Sequence, residues 1–312
     1  MTIDVLTLGF WMRGELQAEL GDHFLLHDHW QADSPLPEDI AGRIRVAITY
    51  TGAPSIERPL LERLPALELI VVMGAGVDCV DLAAAQARGV EVRNCPGANA
   101  VDVAELAIGL MIAVERRIVS EDADARTGQW TRRRGRRLAG LRLGILGMGH
   151  IGMAIASRAA AFEMEIFHAS RRERPDLPYR QLPDTVALAR AVDIVVLALP
   201  ADDSTRHIVN AEVLDALGPD GVLINVARGA LVDEAALIAA LADRRLRGAG
   251  LDVSEEEPGF PEALLTMRNV VLSPHNGGNT EEAFQAVRAA AVAHVRAWFP
   301  ETVETTDLIR TE

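Results

Sequence analysis

The chain of 312 residues contains only two cysteines, Cys79 and Cys95, and they do not form a CxxC pair. Two separate cysteines cannot build the disulfide framework of a small secreted protein, so we expect a reducing compartment. The sequence has no apolar run of roughly 18 residues, the length that a membrane-spanning helix needs. Its first residues also lack the basic segment and long apolar core of a secretion signal. These absences predict a cytoplasmic protein that does not act in a membrane.

Positive charge is scarce, because 31 Lys and Arg residues oppose 45 Asp and Glu residues, for a formal net charge of −14. A field of that sign repels nucleic acid and anionic membrane surfaces, so we expect neither as a partner. The exception is the run from Arg132 to Arg137, where five arginines follow Trp130. We interpret this run as an exposed hinge, or as a positive patch that attracts anions, and its role stays open.

Three histidines lie close together in the sequence, at His23, His27 and His29. Three imidazoles are enough for a zinc site, but no cysteine and no fixed zinc-binding pattern accompanies them. We therefore expect no metal, and the role of this cluster stays open.

Short apolar runs alternate with amphipathic stretches, which is typical of parallel sheets with helices on both faces. Strands are predicted at 3–8, 24–26, 44–49, 67–73 and 90–92, then at 141–146, 165–169, 193–199, 221–226, 248–253 and 270–272. Helices are predicted at 56–64, 82–88, 100–118, 151–162, 211–217, 233–246 and 280–298. A polar, arginine-rich segment at 120–140 forms a boundary. The pattern predicts an α/β fold with two doubly wound parallel-sheet domains, the second with six strands.

The clearest local motif is GxGxxG, formed by Gly147, Gly149 and Gly152 directly after a predicted strand and at the start of a helix. In such a turn, Gly147 permits the tight bend, Gly149 lets a pyrophosphate approach the backbone, and Gly152 lets the helix pack closely on the strand. The N–H groups of the first helical turn then face the anion. The motif predicts a dinucleotide site.

The next predicted strand ends at Ser170, which is followed by Arg171 and Arg172. An NAD site would place an acidic residue near this position to hold the ribose 2′-hydroxyl. Here no carboxylate repels a 2′-phosphate, and the two guanidinium groups are able to pair with one. The sequence therefore predicts that NADP(H) is preferred, with NAD(H) as the alternative.

Three polar residues of the second series, Arg228, Glu257 and His275, lie in loops or at strand ends. Together with the glycine motif, their surroundings resemble the D-isomer-specific 2-hydroxyacid dehydrogenase family, in particular its glyoxylate/hydroxypyruvate reductases. The matching segments are 94–105, 147–152, 199–200, 224–237, 248–258 and 273–280, which follow one another in the family's order.

This resemblance implies a flavodoxin-like substrate domain, made of residues 1–98 and 282–312, and a Rossmann dinucleotide-binding domain at 99–281. It implies a homodimer, formed largely through the long helix after Asn99. The implied activity is the reversible, NAD(P)H-dependent reduction of a small 2-oxo acid to the D-2-hydroxy acid.

The resemblance also implies roles for single residues. Arg228 would bind the substrate carboxylate and polarise its ketone, His275 would donate the proton, and Glu257 would hold the other ring nitrogen. Backbone N–H groups of Gly74, Ala75 and Gly76 would bind the carboxylate. Asp252 would meet the nicotinamide carboxamide. The implied cofactor contacts are Gly147, Gly149, His150, Ile151, Gly152, Ser170, Arg171, Arg172, Leu199, Pro200, Thr205, Val226, Ala227, Arg228, Asp252, His275 and Gly277.

Two departures from the family pattern and two other functions remain open. Asn276 and Gly277 follow His275 where many members have an apolar residue, which leaves the substrate preference open. Glu163 replaces a usual glycine, and we interpret this as a surface change. A dinucleotide-sensing, corepressor-like protein without physiological turnover is the alternative function. A hydride-transfer enzyme acting on a substrate other than a hydroxy acid is the third.

Overall fold

The computed structural model describes residues 2–9, 13–28, 36–50 and 52–302. The chain divides into two compact units. One unit combines Met1–Asn99 with Glu281–Glu312, and the other is Ala100–Thr280. Each unit has its own parallel β-sheet.

The first unit has a five-stranded parallel sheet in its described part, with strand order β2-β1-β3-β4-β5. The strands are β1 Ile3–Thr7, β2 Phe24–Asp28, β3 Ile44–Tyr50, β4 Leu69–Met73 and β5 Glu91–Asn94. The helices are α1 Arg13–Leu20, α2 Glu38–Ala41, α3 Arg58–Arg63, α4 Leu82–Ala87 and α12 Glu281–Trp298, with a 3₁₀ turn at Pro300–Thr302. Successive residues of β4 enter different cores, as the period of two in a strand requires, so both faces of the sheet are covered.

The second unit has a seven-stranded parallel sheet in its described part, with order β12-β11-β10-β9-β6-β7-β8. The strands are β6 Arg142–Leu146, β7 Glu165–Ala169, β8 Arg180–Gln181, β9 Ile194–Leu197, β10 Val222–Asn225, β11 Gly248–Leu251 and β12 Val270–Leu272. The helices are α5 Ala100–Glu115, α6 Ile118–Arg126, α7 His150–Ala161, α8 Thr185–Ala191, α9 Ala211–Leu217, α10 Glu234–Ala242 and α11 Glu262–Leu265. The strand order reverses direction between β6 and β9, the point where doubly wound sheets bind ligands.

The predicted fold class, two doubly wound parallel sheets, is confirmed by this topology. The second sheet differs from the prediction by one strand, because β8 has only two residues and shows no periodicity. The long predicted helix at 100–118 is also interrupted. Arg117 has a left-handed φ of 56°, so α5 ends at Glu115 and a separate helix begins at Ile118. That second helix extends into the segment predicted to be only a polar boundary.

The arginine run is partly structural. The Arg136 guanidinium donates to the fully buried carboxylate of Glu115 at 2.9 Å, and Arg247 lies 3.2 Å from the same carboxylate. Arg133 donates to Asp124 at 2.7 Å, and this guanidinium contributes most to holding the pKa of Asp124 below its ordinary value. Arg133 and Arg136 therefore bind their segment to two buried acids, and the interpretation of the whole run as a hinge or a positive patch stays a prediction.

The histidine cluster is only partly described. His27 Nε2 lies 2.7 Å from Asp4 Oδ1, and His29 lies outside the described residues. Over the described ranges, no group of three or more His, Cys, Asp or Glu side chains is arranged to hold a metal ion. Within the same ranges, no helix combines the length and the apolar character needed to cross a membrane.

Candidate active site

The glycine turn after β6 has the geometry that its sequence predicts. Gly147 has a φ of 93°, and a Cβ there would lie 2.7 Å from the carbonyl oxygen of Ala198. A Cβ on Gly152 would lie 2.0 Å from the carbonyl oxygen of Gly147, so α7 and the turn touch through backbone atoms. A Cβ on Gly149 would meet no atom within 4 Å, so open space lies beside this residue.

The start of α7 suits an anion. Gly149 is the N-cap, and no side chain caps the helix, whose first residues are His150 and Ile151. The N–H groups of the first turn of such a helix attract negative charge. The open space beside Gly149 and this uncapped end fit the pyrophosphate of a dinucleotide.

The turn after β7 presents Ser170, Arg171 and Arg172. The Ser170 hydroxyl donates to the carbonyl of Arg172 at 2.9 Å, which closes the turn on itself. The Arg171 side chain is 77% exposed and lies 3.8 Å from Asp202, a loose pair that leaves the guanidinium accessible to a ligand. The turn formed by Ser170, Arg171 and Arg172 contains no carboxylate.

Arg174 was not predicted from the sequence, yet it joins the two turns. Its guanidinium donates to the carbonyl of Met148 at 2.8 Å, inside the glycine motif, and also binds Asp176. That pairing lowers the pKa of the Asp176 carboxyl and keeps the acid ionised. An arginine two residues beyond the turn has no sequence signal that distinguishes it from Arg171 or Arg172.

The loop after β9 contains Leu199, Pro200 and Thr205. Thr205 is buried, and its hydroxyl donates to the carbonyl of Pro200 at 3.1 Å. It also accepts a hydrogen bond from the N–H of Asp202 at 2.8 Å. The Thr205 side chain therefore stabilises its own loop. Its predicted effect on a cofactor would be indirect, through the position of the neighbouring residues of that loop.

Arg228 follows β10, after the buried residues Val226 and Ala227. The side-chain amide of Asn225 holds this stretch, since it donates to the carbonyl of Arg228 at 2.9 Å and accepts from the N–H of Ala227 at 3.1 Å. The Arg228 guanidinium donates to the carbonyl of Ala227 at 2.8 Å. Asn225 therefore fixes the backbone at Ala227 and Arg228, and the hydrogen bond to Ala227 fixes one side of the Arg228 guanidinium.

Gly229 presses the loop after β10 against the loop after β11. A Cβ on Gly229 would lie 2.0 Å from the backbone of Ser254 and 2.3 Å from the N–H nitrogen of Glu255. This approach requires glycine next to Arg228. It also explains how the loop that contains Glu257 is kept near the end of β10.

Glu257 and His275 form a direct pair. His275 Nδ1 lies 2.7 Å from Glu257 Oε2, and the histidine side chain is 33% exposed. Because a carboxylate accepts hydrogen bonds, Nδ1 of His275 is the donor in this pair, which leaves Nε2 able to exchange a proton with a ligand. Because β10, β11 and β12 are adjacent, the loops of Arg228, Glu257 and His275 lie at the same sheet edge.

Asp252 holds the histidine loop. It is 2% exposed, and its two carboxylate oxygens accept from the N–H groups of Asn276 and Gly277, both at 2.8 Å. Its backbone carbonyl accepts from the N–H of His275 at 2.7 Å. His275 itself has a left-handed φ of 54°, which a residue with a Cβ adopts only at a cost. The three hydrogen bonds offset that strain.

Glu234, the first residue of α10, is a second residue that sequence reasoning missed. Its carboxylate accepts from the Ser254 hydroxyl at 3.0 Å and from the N–H of Glu255 at 2.9 Å. The N–H of Ser254 in turn donates to Glu257 at 3.2 Å. Glu234 therefore orients the loop that orients Glu257. In the sequence it is one acidic residue next to Asp233, the N-cap of α10, and nothing there indicates the contact with the loop after β11.

The predicted substrate turn lies in the first unit, directly after β4. The carbonyl of Ala75 accepts from the Asn94 side chain at 2.6 Å, and the carbonyl of Gly74 accepts from the N–H of Cys95 at 2.9 Å. The N–H of Gly74 donates to the carbonyl of Val72 at 2.9 Å. Both carbonyls are thus held by β5 and the residue after it, and the Gly74 N–H already has an acceptor.

Comparisons with known proteins identify a family that this chain resembles over most of its length. Residues 108–277 match the family model described as D-isomer specific 2-hydroxyacid dehydrogenase, NAD binding domain. The chain is 42% identical to hydroxyphenylpyruvate reductase of Plectranthus scutellarioides over 91% of this chain and 92% of that protein. It is 41% identical to glyoxylate/hydroxypyruvate reductase A of Arabidopsis thaliana over 92% and 93%.

A solved structure is also similar over nearly the whole chain. It is an NADPH-dependent glyoxylate/hydroxypyruvate reductase from Sinorhizobium meliloti, in complex with NADP and malonate. The TM-score is 0.86 at 35% sequence identity, with 96% of this chain and 94% of that chain covered.

Proposed function

This chain belongs to the D-isomer specific 2-hydroxyacid dehydrogenase family, and we propose that it reduces a small 2-oxo acid reversibly to the D-2-hydroxy acid. It is an NAD(P)-dependent oxidoreductase. The observation that supports the proposed reaction is the 2.7 Å distance between His275 Nδ1 and Glu257 Oε2. The loops of these two residues and of Arg228 follow three adjacent strands at the same edge of the sheet. A reduced nicotinamide, when bound, supplies the hydride that such a reduction needs.

His275 is the proposed proton donor to the ketone oxygen. With Nδ1 hydrogen-bonded to Glu257, the proton that leaves in the reduction is the one on Nε2 of an imidazolium. The carboxylate stabilises that imidazolium when it forms and fixes the plane of the ring. In the oxidation direction the neutral ring accepts the proton from the hydroxyl group.

Arg228 is the proposed partner of the substrate carboxylate and ketone. A guanidinium stays charged at any working pH, and its planar set of donors matches a carboxylate and the oxygen beside it. Positive charge at the ketone oxygen stabilises the negative charge that develops there during reduction. We propose that backbone N–H groups of the turn after β4 also bind the carboxylate. Those of Ala75 and Gly76 are favoured because the Gly74 N–H already donates to Val72.

We propose that Ala100–Thr280 is the dinucleotide-binding unit and that NADPH is preferred over NADH. The absence of a carboxylate from the Ser170 turn and the exposed Arg171 support this preference. The further cofactor contacts proposed are Gly147, Gly149, His150, Ile151, Gly152, Ser170, Arg172, Leu199, Pro200, Thr205, Val226, Ala227, Asp252 and Gly277. Asp252 would accept from the carboxamide with lone pairs that the two backbone N–H groups leave over.

Glyoxylate and hydroxypyruvate are the proposed substrates, because the named relatives include reductases of both. A bulkier acid with a phenyl group belongs in the same test, since another relative is a hydroxyphenylpyruvate reductase. We also propose a homodimer that uses the apolar helix α5, which light scattering of the purified protein would detect.

Replacement of His275 tests the proposed chemistry. For His275→Gln we expect kcat to fall at least about a hundredfold while the Kd for NADPH stays nearly unchanged, because the amide cannot transfer a proton. His23→Gln, on an exposed histidine of the other unit, is the matched control and should retain its activity. Near-normal turnover of His275→Gln would remove His275 from the mechanism.

A further inference from the structure

Gln181, on the two-residue strand β8, bonds to the turn that contains Ser170, Arg171 and Arg172. Its side-chain amide donates to the carbonyl of Ser170 at 3.2 Å and to the carbonyl of Arg172 at 3.3 Å. Its amide oxygen accepts from the N–H of Arg174 at 3.0 Å. One side chain therefore satisfies three backbone groups in five consecutive residues.

The two carbonyls that Gln181 holds belong to the peptide group before Arg171 and the peptide group after Arg172. Fixing these two groups restricts the backbone of the two arginines between them, and with it the direction in which their side chains leave the backbone. The Arg171 side chain has little else to aim it, since its described ionic partner, Asp202, is 3.8 Å away and Arg171 is 77% exposed. The backbone, held by Gln181, fixes the point and the direction from which this side chain leaves the turn.

The hydrogen bonds continue from the turn at residues 170–172, called the ribose turn below, to the glycine turn at residues 147–152. Arg174, whose N–H is bound by Gln181, donates through its guanidinium to the carbonyl of Met148 at 2.8 Å. Gln181 and Arg174 thus join the two cofactor turns into a single hydrogen-bonded frame. A frame that is ordered before the ligand arrives reduces the entropy lost on binding.

The buried side of the ribose turn contributes no positive charge. His168, at the centre of β7, is fully buried, and burial is the main cause that lowers its pKa, so the ring is neutral at physiological pH. Its Nδ1 lies 3.4 Å from the Ser170 hydroxyl. Only the exposed arginines of this turn are therefore available to attract a phosphate, and their positions depend on the backbone of the turn.

We propose that Gln181 is a positioning residue for cofactor selectivity, which presents Arg171 and Arg172 to the 2′-phosphate of NADPH. This inference rests on the proposed NADPH preference. It assigns to β8 a function that depends on a hydrogen-bonding side chain and not on a charge.

Gln181→Met tests the inference, because methionine keeps the length of the side chain but removes its three hydrogen bonds to the backbone. Binding of two cofactor fragments, adenosine 2′,5′-bisphosphate and adenosine 5′-monophosphate, is measured by calorimetry. We expect the Kd of the bisphosphate to rise about tenfold, since one misaligned charged contact costs about that much, and the Kd of the monophosphate to change less than about twofold. Gln285→Met, on a glutamine of α12 in the other unit, is the matched control and should change neither value.

Steady-state kinetics give a second readout. In Gln181→Met the KM for NADPH should rise about tenfold with kcat and the KM for NADH nearly unchanged, which a general loss of structure would not produce. Gln181→Ala is the second variant, in case methionine packs poorly, and should give the same split. Equal weakening of both fragments, or no change in either, would overturn the inference. Wild-type protein that binds both fragments alike would overturn the NADPH preference itself, and this result is visible before any variant is made.

Discussion

Asp252→Asn is the most informative change at the histidine loop. The buried carboxylate of Asp252 accepts from the N–H groups of Asn276 and Gly277, each at 2.8 Å. An asparagine can accept from only one of them and places its own N–H₂ group against the other. The substitution therefore removes one hydrogen bond to a charged group and leaves a buried donor without an acceptor.

The expected cost follows from these two losses. A hydrogen bond to a charged group contributes about 1.5–3 kcal/mol and an unpaired buried donor costs about 1–3 kcal/mol, so we expect the free energy of unfolding to fall by about 2.5–6 kcal/mol. The loop would also lose part of what offsets the left-handed φ of His275. Because a shift of about 1 Å at a reacting group can cost about a hundredfold, kcat should fall between tenfold and a hundredfold.

Urea unfolding and hydrogen exchange measure these effects separately. The free energy of unfolding comes from circular dichroism, and exchange of the Asn276 and Gly277 amides reports directly on the two hydrogen bonds. Asp243→Asn, at an exposed acid 3.7 Å from Arg245, is the matched control and should stay within about 0.5 kcal/mol of wild type. Unchanged stability and unchanged amide exchange in Asp252→Asn would refute the role assigned to this carboxylate.

Arg171→Ala should raise the KM for NADPH and leave that for NADH nearly unchanged, and an equal rise in both would argue against the 2′-phosphate contact. Gly229→Ala should destabilise the protein by at least about 1–3 kcal/mol in urea, because its Cβ would meet backbone atoms at 2.0 Å. Glu115→Gln should cost about 3–5 kcal/mol, since it removes the buried carboxylate that two arginines bind; a loss below about 1 kcal/mol would contradict this. The Arg142 guanidinium lowers the pKa of Asp193 in the folded state, so the stability that this carboxylate adds is complete above about pH 5 and is lost as the pH falls below about 4. Urea unfolding of Asp193→Asn and wild type should therefore converge at low pH, and a constant difference would be evidence against this pairing.

The sequence was sufficient for features that depend on local pattern. The strand, turn and helix around Gly147 and Gly152 follow from periodicity and from positions where only glycine fits, and the structure shows both close approaches. The two-domain α/β class follows from the alternation of apolar runs with helical stretches. The resemblance to a family supplied Arg228, Glu257 and His275, which no periodic pattern identifies.

The residues that sequence reasoning missed act through tertiary contacts. Glu234, Arg174 and Gln181 bond to backbone groups from 7 to 26 positions away, and a single sequence does not record such pairs. The break between α5 and α6 depends on one left-handed residue, Arg117, in a run of ordinary helix formers. The unusual Glu163 has a φ of 60°, which explains why glycine suits that position, and the glutamate side chain is exposed at the surface.

Consumption of reduced cofactor by the purified protein tests the central claim most directly. NADPH and NADH are supplied separately with glyoxylate, hydroxypyruvate, pyruvate and a 2-oxo acid that has a phenyl group, and the decrease in near-ultraviolet absorbance is followed. We predict turnover of at least one of these acids, faster with NADPH than with NADH. Tight binding of NADPH without turnover of any acid would contradict the proposed reaction and favour a dinucleotide-sensing role.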